Sequence, residues 1–265
     1  MSQGTDIGLK GPVMCIVGAR PNFMKMAPIL RALAAHAPAI PALLVHTGQH
    51  YDANMNDRLF ADLRLPAPDL NLEVGSGSHA VQTAEVMKRF EPALDEHRPS
   101  CVVVVGDVNS TLACTLVAVK KGVPVVHVEA GLRSYDRRMP EEINRVLTDQ
   151  VADRLYTTER SAGDNLAREG VDPSRVAFVG NVMIDSLLDA REHARPAADT
   201  LVAHDLDPGL LQHPKGYGVV TMHRPSNVDD AETLARLLGV LAEVSRELPL
   251  VFAMHPRTRN NVQRF

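Results

Sequence analysis

Apolar residues follow two alternating patterns along the chain. Short apolar runs such as Val13–Val17 and Cys101–Val105 do not alternate with polar residues, which predicts strands buried on both faces. Between these runs, apolar residues recur every third or fourth position, which predicts amphipathic helices. The predicted strands are Val13–Val17, Ala42–Val45, Cys101–Val105, Val123–Val128, one near Leu155, and Val176–Val179. The predicted helices are Phe23–Leu33, Met55–Leu63, Ala80–Leu94, Thr111–Val119, Glu141–Val151, one around Asn165, and Met183–Ala194.

This order of strands and helices predicts an α/β fold with a parallel sheet, because right-handed βαβ crossovers cover both sheet faces. We assign residues 12–179 to an N-terminal Rossmann-like domain. After a polar, proline-containing stretch at 195–215, a strand, a helix and a strand are predicted at 218–221, 232–244 and 250–253. Residues 180–265 are therefore expected to begin a second α/β domain that is incomplete in this chain.

Composition excludes several classes of protein. A chain of 265 residues that is 45% hydrophobic can bury a sizeable core. The formal net charge is −4 and the basic residues are scattered, so a nucleic-acid partner is not expected. We see no secretory signal and no apolar stretch of membrane-spanning length. The expectation is a cytoplasmic protein without membrane insertion.

Cysteine and histidine spacing gives no sign of a metal site. Cys15, Cys101 and Cys114 are an odd number of cysteines inside apolar runs, which predicts buried free thiols. The chain contains neither an HExxH nor a CxxC arrangement, and its 11 histidines are scattered, so no bound metal is expected.

Two common nucleotide-binding motifs are absent from the sequence. The first strand is not followed by GxGxxG and the chain contains no GxxxxGK[ST], which disfavours dehydrogenases and P-loop enzymes. We expect no cofactor.

Polar residues follow the predicted strands at the ends where parallel sheets bind ligands. The loop after the first strand carries Arg20, with Lys25 one turn into the next helix, and His50 follows the second strand. Asp107 and Glu129 follow the strands that end at Val105 and Val128. These four loops should meet in one crevice that two carboxylates face.

Each of these residues also has a structural explanation. Arg20 or Lys25 alone could be a solvated charge, and Asp107 could cap the helix that follows it. Glu129 is harder to explain in this way, because it directly follows an apolar strand and a buried carboxylate is costly unless something requires it. The convergence of four such loops favours a functional site over four separate coincidences.

A second acidic segment opens the helix that begins near Pro140. Glu141 and Glu142 lie in its first turn, where the helix dipole favours acids, so a structural role is expected for Glu142. Glu141 and Arg145 are spaced i,i+4, away from the apolar stripe at 143, 146 and 147. They can pair with each other or both point at a ligand. In the second predicted domain, His223 follows the first strand and should face an interdomain cleft.

These motifs together resemble one known family. The residues concerned are Gly18–Pro28, Gly48–His50, Gly106–Thr111, His127–Arg133, Pro140–Arg145, Gly180–Asn181 and His223–Pro225. Their order and spacing are similar to those of the non-hydrolysing UDP-N-acetylglucosamine 2-epimerases, and the resemblance extends from Val13 to Phe265. Each motif alone is weak, but seven in sequence are not expected by chance.

The resemblance implies a fold and a set of site residues. The family has two Rossmann-like domains that face each other across a cleft, as in GT-B glycosyltransferases, with a UDP-sugar between them. The family continues beyond Phe265, so the second domain is expected to be truncated here and this chain alone to be a poor enzyme. A homodimer without a cofactor is also implied. The implied catalytic residues are Asp107, Glu129, Glu141 and His223, and the implied substrate-binding residues are Arg20, Lys25, His50 and Arg145.

The implied reaction is interconversion of UDP-GlcNAc and UDP-ManNAc through 2-acetamidoglucal, which supplies precursors of cell-surface polysaccharide. Close relatives share these motifs, so a UDP-diacetamido sugar is an alternative substrate. A GT-B glycosyltransferase is the main rival enzyme, although three clustered acids argue against it. A nucleotide-sugar sensor without turnover is the non-enzymatic alternative. The sequence does not say which carboxylate acts as acid and which as base.

Overall fold

A computed structural model describes residues 10–36, 40–48 and 60–265. The chain divides into two compact units after Glu192. The helix Val182–His193 lies at this division, and Ser186 Oγ near its middle donates a hydrogen bond to the carbonyl of Met24 in the first unit. The domain boundary after residue 179 stays a prediction.

Within the described residues, the first unit contains a seven-stranded sheet in the order β3-β2-β1-β4-β5-β6-β7. Every pair of neighbouring strands is parallel. The predicted α/β class and parallel sheet are therefore confirmed. The strands are β1 Val13–Val17, β2 Ala42–His46, β3 Leu70–Asn71, β4 Cys101–Val105, β5 Val125–Val128, β6 Arg154–Thr157 and β7 Val176–Phe178.

Helices connect these strands and cover the sheet. In the described part of the chain, none of the helices combines the length and the apolar character needed to cross a bilayer. The helices of the first unit are α1 Arg20–Ala35, α2 His79–His97, α3 Asn109–Lys120, α4 Pro140–Val151, α5 Arg160–Arg168 and α6 Val182–His193, with a 3₁₀ turn at Pro173–Arg175.

The structure confirms the predicted strands and most predicted helices to within a few residues. Strand β3 was not predicted, because two residues are too short to show a periodicity. The predicted helix Met55–Leu63 lies mostly outside the described residues, which begin again at Phe60. Apolar patterning was sufficient for every longer strand.

The core lies on both faces of the sheet, as the unbroken apolar strands predicted. Successive residues of β1 point to opposite faces, so Met14 joins one buried cluster with Phe90 of α2. Cys15 joins the other cluster with Phe23 of α1. All three cysteines are free thiols, and burial, with a smaller contribution from Cys101, raises the pKa of Cys15 to about 12. The prediction of free thiols is confirmed for all three cysteines. Cys15 and Cys114 are fully buried, as predicted, whereas Cys101 is half-buried.

The second unit contains a two-stranded parallel sheet of β8 and β9. The polar stretch at 195–215, for which no element was predicted, includes a short helix whose Leu201 is buried. A single buried leucine gives too weak a period to reveal such a helix from sequence. The elements are α7 Ala197–Ala203, a 3₁₀ turn Pro208–Gln212, β8 Gly218–Val220, α8 Pro225–Val228, α9 Ala231–Val244, β9 Leu250–Phe252 and α10 Pro256–Arg264.

Helix α2 offers a matched test of the described core. Val86 is fully buried, whereas Val81 on the same helix is 58% exposed. Val86→Ala should lower the free energy of unfolding by about 2 kcal/mol, because two methyl groups leave a packed core. Val81→Ala should change it by less than about 0.5 kcal/mol. Chemical denaturation of both variants checks this, and equal losses would contradict the described burial of α2.

Candidate active site

The carboxyl ends of β1 and β4 are joined by one asparagine side chain. Asn22 Oδ1 accepts hydrogen bonds from the backbone N–H groups of Gly18 and Ala19, each at 3.1 Å. Asn22 Nδ2 donates to the carbonyl of Val105 at 3.0 Å. The loop that follows β1 is thereby fixed to the end of β4, and both strands present their loops at the same edge of the sheet.

The same edge is packed closely around Gly18. The hydroxyls of Thr47 and Ser110 are hydrogen-bonded at 2.7 Å and are buried. A Cβ atom at Gly18 would lie 2.4 Å from Ser110 Oγ and 2.7 Å from Thr47 Oγ1. Glycine is therefore required at this position, and the loops after β1, β2 and β4 are in contact.

An ion pair between Lys25 and Glu129 lies over Gly106. Both side chains are largely buried, at 11% and 16% exposure. A Cβ atom on Gly106 would lie 2.9 Å from Lys25 Nζ and 3.3 Å from Glu129 Oε2, and φ of Gly106 is +67°. Gly106 thus leaves the space in which helix α1 and the loop after β5 bring a cation and a carboxylate together.

Glu129 has a strained backbone conformation. Its φ is +72°, in the left-handed region that residues with a Cβ atom seldom adopt. The N–H groups of Glu129 and Ala130 both donate to the carbonyl of Tyr156, at 3.0 and 3.1 Å. Strain of this kind persists only where the surroundings enforce it, and it is common at functional sites.

A second ion pair lies beside the first. Asp107, which follows Gly106, pairs with Arg145 of α4. Arg145 Nη1 also lies 2.6 Å from Glu142 Oε2, and Asn144 Nδ2 donates to the backbone carbonyl of Asp107 at 2.9 Å. Asp107 is therefore held by both its side chain and its backbone.

Helix α4 presents a polar face to the interior. Among its residues, Glu142, Asn144, Thr148 and Asp149 are buried. Ile143 and Leu147, which the sequence analysis placed in an apolar stripe, are 47% and 46% exposed. Amphipathic patterning alone would turn that stripe inward. Hydrogen bonds and ion pairs to the surrounding loops orient this helix instead.

Glu142 has the structural role predicted for it. Its carboxylate accepts hydrogen bonds from the backbone N–H groups of Ser134 and Tyr135, each at 3.0 Å. Burial would raise the pKa of Glu142, but these two hydrogen bonds and the charge of Arg145 outweigh burial and lower it. Glu141 and Arg145 were expected either to pair with each other or both to point at a ligand. The described contacts pair Arg145 with Glu142 and Asp107.

A fully buried charge network lies beneath the site. Asp149 Oδ1 is 2.7 Å from His127 Nδ1, while Asp149 Oδ2 is 2.7 Å from Arg133 Nη1 and accepts the Gly131 N–H at 3.0 Å. Burial would raise the pKa of Asp149, but His127 and Arg133 outweigh it, so the pKa is lowered. Arg133 also binds Glu169 through two hydrogen bonds, at 2.7 and 2.6 Å.

The network reaches the site through the second nitrogen of His127. His127 Nε2 lies 2.8 Å from the carbonyl oxygen of Gly106, and the histidine is fully buried. The sequence analysis assigned no role to His127 or Asp149. Two signals were available: a histidine inside an apolar strand, and the i, i+3, i+7 spacing of Glu142, Arg145 and Asp149 on one helix.

The other four predicted site residues are exposed or lie outside the described residues. Arg20 is exposed at the first position of α1, and Glu141 is exposed in the first turn of α4. His223 is exposed after β8 in the second unit, with its ring centroid 5.6 Å from that of His255. His50 lies outside the described residues. The first unit thus brings together Lys25, Asp107, Glu129 and Arg145.

The site contains acids and cations rather than a set of metal ligands. Among residues 10–36, 40–48 and 60–265, no group of three or more His, Cys, Asp or Glu side chains is arranged to hold a metal ion. The two carboxylates can accept or deliver protons, and the two cations can bind an anionic group. This arrangement suits proton transfer next to a negatively charged leaving group.

Comparison with known proteins identifies the family. Residues 31–265 match the family model described as UDP-N-acetylglucosamine 2-epimerase. A UDP-N-acetylglucosamine 2-epimerase homolog of Methanococcus maripaludis is 41% identical over 253 residues, which cover 96% of this chain and 68% of that protein. A UDP-2,3-diacetamido-2,3-dideoxy-D-glucuronate 2-epimerase of Pseudomonas aeruginosa is 39% identical over 255 residues, covering 95% and 69%.

A solved structure agrees with the sequence matches. The crystal structure of Methanocaldococcus jannaschii UDP-GlcNAc 2-epimerase in complex with UDP-GlcNAc and UDP has a TM-score of 0.80 and 38% identity. The match covers 96% of this chain and 68% of the other. The resemblance seen in the sequence motifs is confirmed: this chain belongs to the UDP-N-acetylglucosamine 2-epimerase family.

Proposed function

We propose that the protein interconverts UDP-GlcNAc and UDP-ManNAc by eliminating UDP and adding it back through 2-acetamidoglucal. The observation that carries the proposal is the pair of carboxylate–cation contacts, Lys25–Glu129 beside Gly106 and Asp107–Arg145 at the next residue. A relative with 38% identity was crystallised with UDP-GlcNAc and UDP, which supports this choice of substrate. The product would serve the synthesis of cell-surface polysaccharide.

Elimination solves the chemical difficulty of this inversion. The C2 hydrogen of the sugar has no neighbouring carbonyl and is barely acidic. If a base removes it while the C1–O bond breaks, the C2–H electrons form a C1=C2 double bond and UDP leaves with the C1–O electron pair. Protonation of C2 from the opposite face and re-addition of UDP at C1 complete the inversion without net oxidation.

Lys25 links substrate binding to the release of a base. Its ammonium is paired with Glu129. A diphosphate carries more charge than one carboxylate and competes for the same cation. Binding of the diphosphate to Lys25 then leaves Glu129 free to accept or deliver the C2 proton. The substrate itself therefore activates the carboxylate.

Asp107 and Glu141 are the other proposed acid–base groups. Asp107 is held by Arg145 and by Asn144, so its position is fixed before substrate binds. Glu141 is exposed in the first turn of α4, one residue before the structural Glu142. Inversion needs one group on each face of the sugar ring, and these three carboxylates are the candidates for both positions.

Four cationic or potentially cationic residues complete the proposed substrate site. Arg20 opens helix α1, where its guanidinium is accessible to a diphosphate. We propose that His223 of the second unit assists departure of UDP as a catalytic residue. His50 and Arg145 are proposed substrate-binding residues. Arg145 would act through its ion pair with Asp107. Positive groups of this kind stabilise the charge that develops on the leaving diphosphate.

A second candidate substrate is UDP-2,3-diacetamido-2,3-dideoxy-D-glucuronate. The Pseudomonas aeruginosa 2-epimerase of that sugar is 39% identical to this chain, close to the 41% of the Methanococcus maripaludis homolog. Both substrates present the same C2 inversion and the same UDP leaving group. The elimination chemistry and the roles of Lys25 and Glu129 are therefore unchanged between the two.

Turnover in D₂O tests the proposed function. NMR of the protein with UDP-GlcNAc should show UDP-ManNAc forming with deuterium at C2, without nicotinamide cofactor and without an acceptor sugar. A product that keeps its original C2 hydrogen would contradict elimination. Turnover of the diacetamido glucuronate but not of UDP-GlcNAc would select the second candidate, and sugar transfer to an acceptor would indicate a glycosyltransferase.

Neutral variants test the three carboxylates. Asp107→Asn, Glu129→Gln and Glu141→Gln should each lower kcat by roughly two to four orders of magnitude, the usual contribution of a positioned acid or base. Glu91→Gln is the matched control, since Glu91 is exposed and pairs with Lys121 at the end of α3 remote from the site. A near-normal kcat for any of the three would remove that residue from the catalytic set.

A further inference from the structure

His127 is a buried titratable residue that the proposed chemistry does not use. Its ring nitrogens have two different partners, the Asp149 carboxylate at 2.7 Å and the Gly106 carbonyl at 2.8 Å. The ring is fully buried, so it is not placed to contact a substrate directly. It does contact the peptide that leads into Asp107, and it belongs to the strand that leads into Glu129.

The partners determine which ring nitrogens carry hydrogen. A carbonyl oxygen only accepts hydrogen bonds, so His127 Nε2 must donate to Gly106. Asp149 already accepts from Gly131 and from the Arg133 guanidinium, as an ionised carboxylate does. The same carboxylate lies 2.7 Å from His127 Nδ1. The ring therefore joins the Gly106 carbonyl, to which Nε2 donates, to the Asp149 carboxylate beside Nδ1.

We propose that His127 is a positioning residue, which holds the Gly106–Asp107 peptide against the Asp149 network and thereby fixes Asp107 relative to Glu129. Three observations support this role. The ring contacts Gly106 itself, over which the Lys25–Glu129 pair lies. Asp149 is held in turn by Arg133, whose side chain is 1% exposed. Asn144 fixes the next carbonyl, that of Asp107, from helix α4.

This role predicts an effect on turnover rather than on binding. The proposal rests on the proposed function only for its kinetic assay. A displaced Asp107 would still leave Lys25 and Arg20 available to the diphosphate, so KM should change little. Misplacing a catalytic group by about 1 Å can lower the rate about a hundredfold. The loss should therefore appear in kcat.

Two amide variants separate the two hydrogen bonds. In His127→Gln the side-chain NH₂ can take the place of Nε2 and still donate to Gly106. In His127→Asn the NH₂ takes the place of Nδ1 and reaches only Asp149. We expect kcat of His127→Asn, per folded enzyme, to fall about a hundredfold with KM changed less than about threefold. His127→Gln should have a kcat about tenfold higher than His127→Asn, because it keeps the hydrogen bond to Gly106.

The test also has a readout that does not depend on activity. In ¹⁵N-histidine-labelled wild-type protein, Nε2 of His127 should carry a slowly exchanging hydrogen, and a bare Nε2 would overturn the proposal. Equal kcat values for the two variants, or a loss expressed mainly in KM, would also overturn it. If the variants do not fold, the wild-type NMR result decides. If the wild type turned over no UDP-sugar, the proposed function would fail while the NMR result would still decide the role of His127.

Discussion

The buried carboxylate of Asp149 is the constraint on which the candidate site depends. It contacts His127 of strand β5, and Gly131 and Arg133 of the segment that follows this strand. That segment includes Glu129, whose positive φ is enforced by its surroundings. Removal of one member of a buried ionic network leaves its partners unpaired, at a cost of about 3–5 kcal/mol. The conformation of Glu129 is therefore secured by a charge that does not itself face the site.

Helix α4, which carries Asp149, also fixes other parts of the site. Asp149 near its end holds the segment after β5, while Asn144 and Arg145 hold Asp107 after β4. Glu142 in its first turn holds the backbone at 134 and 135. One rigid helix thus fixes two loops at the carboxyl edge of the sheet, the loop after β4 and the loop between β5 and α4. This is the kind of preorganisation that lets fixed charges stabilise a transition state without rearranging during the reaction.

The orientation of α4 that makes these contacts also exposes apolar side chains. Because α4 turns Glu142, Asn144 and Asp149 inward, Ile143 and Leu147 face outward. A helix oriented by hydrophobic burial alone would have the opposite arrangement. Polar contacts determine the orientation because each buried charge on α4 has a partner of opposite sign or a backbone donor. Those contacts would be lost if the helix turned about its axis.

Sequence patterning predicted the sheet, because strands buried on both faces are unbroken apolar runs. It also predicted that Lys25, Asp107 and Glu129 meet, because parallel strands present their loops at one edge of the sheet. It did not predict the orientation of α4, since periodicity assigns the apolar stripe to the interior. It also gave no sign that His127 and Asp149 meet, because that contact depends on how α4 packs beside β5. Strand β3 was missed because it has only two residues.

In the two ion pairs of the site, each carboxylate is neutralised by a neighbouring cation. The proposed function requires the substrate diphosphate to replace Glu129 at Lys25, while the scaffold around Gly106 keeps its place. The most direct measurement is a crystal structure of the protein with UDP-GlcNAc bound. It should show a diphosphate oxygen bound to Lys25 Nζ, the Glu129 carboxylate turned towards C2 of the sugar, and the His127–Gly106 contact unchanged. A bound substrate that leaves the Lys25–Glu129 pair intact, with C2 beyond reach of Glu129, would contradict this mechanism.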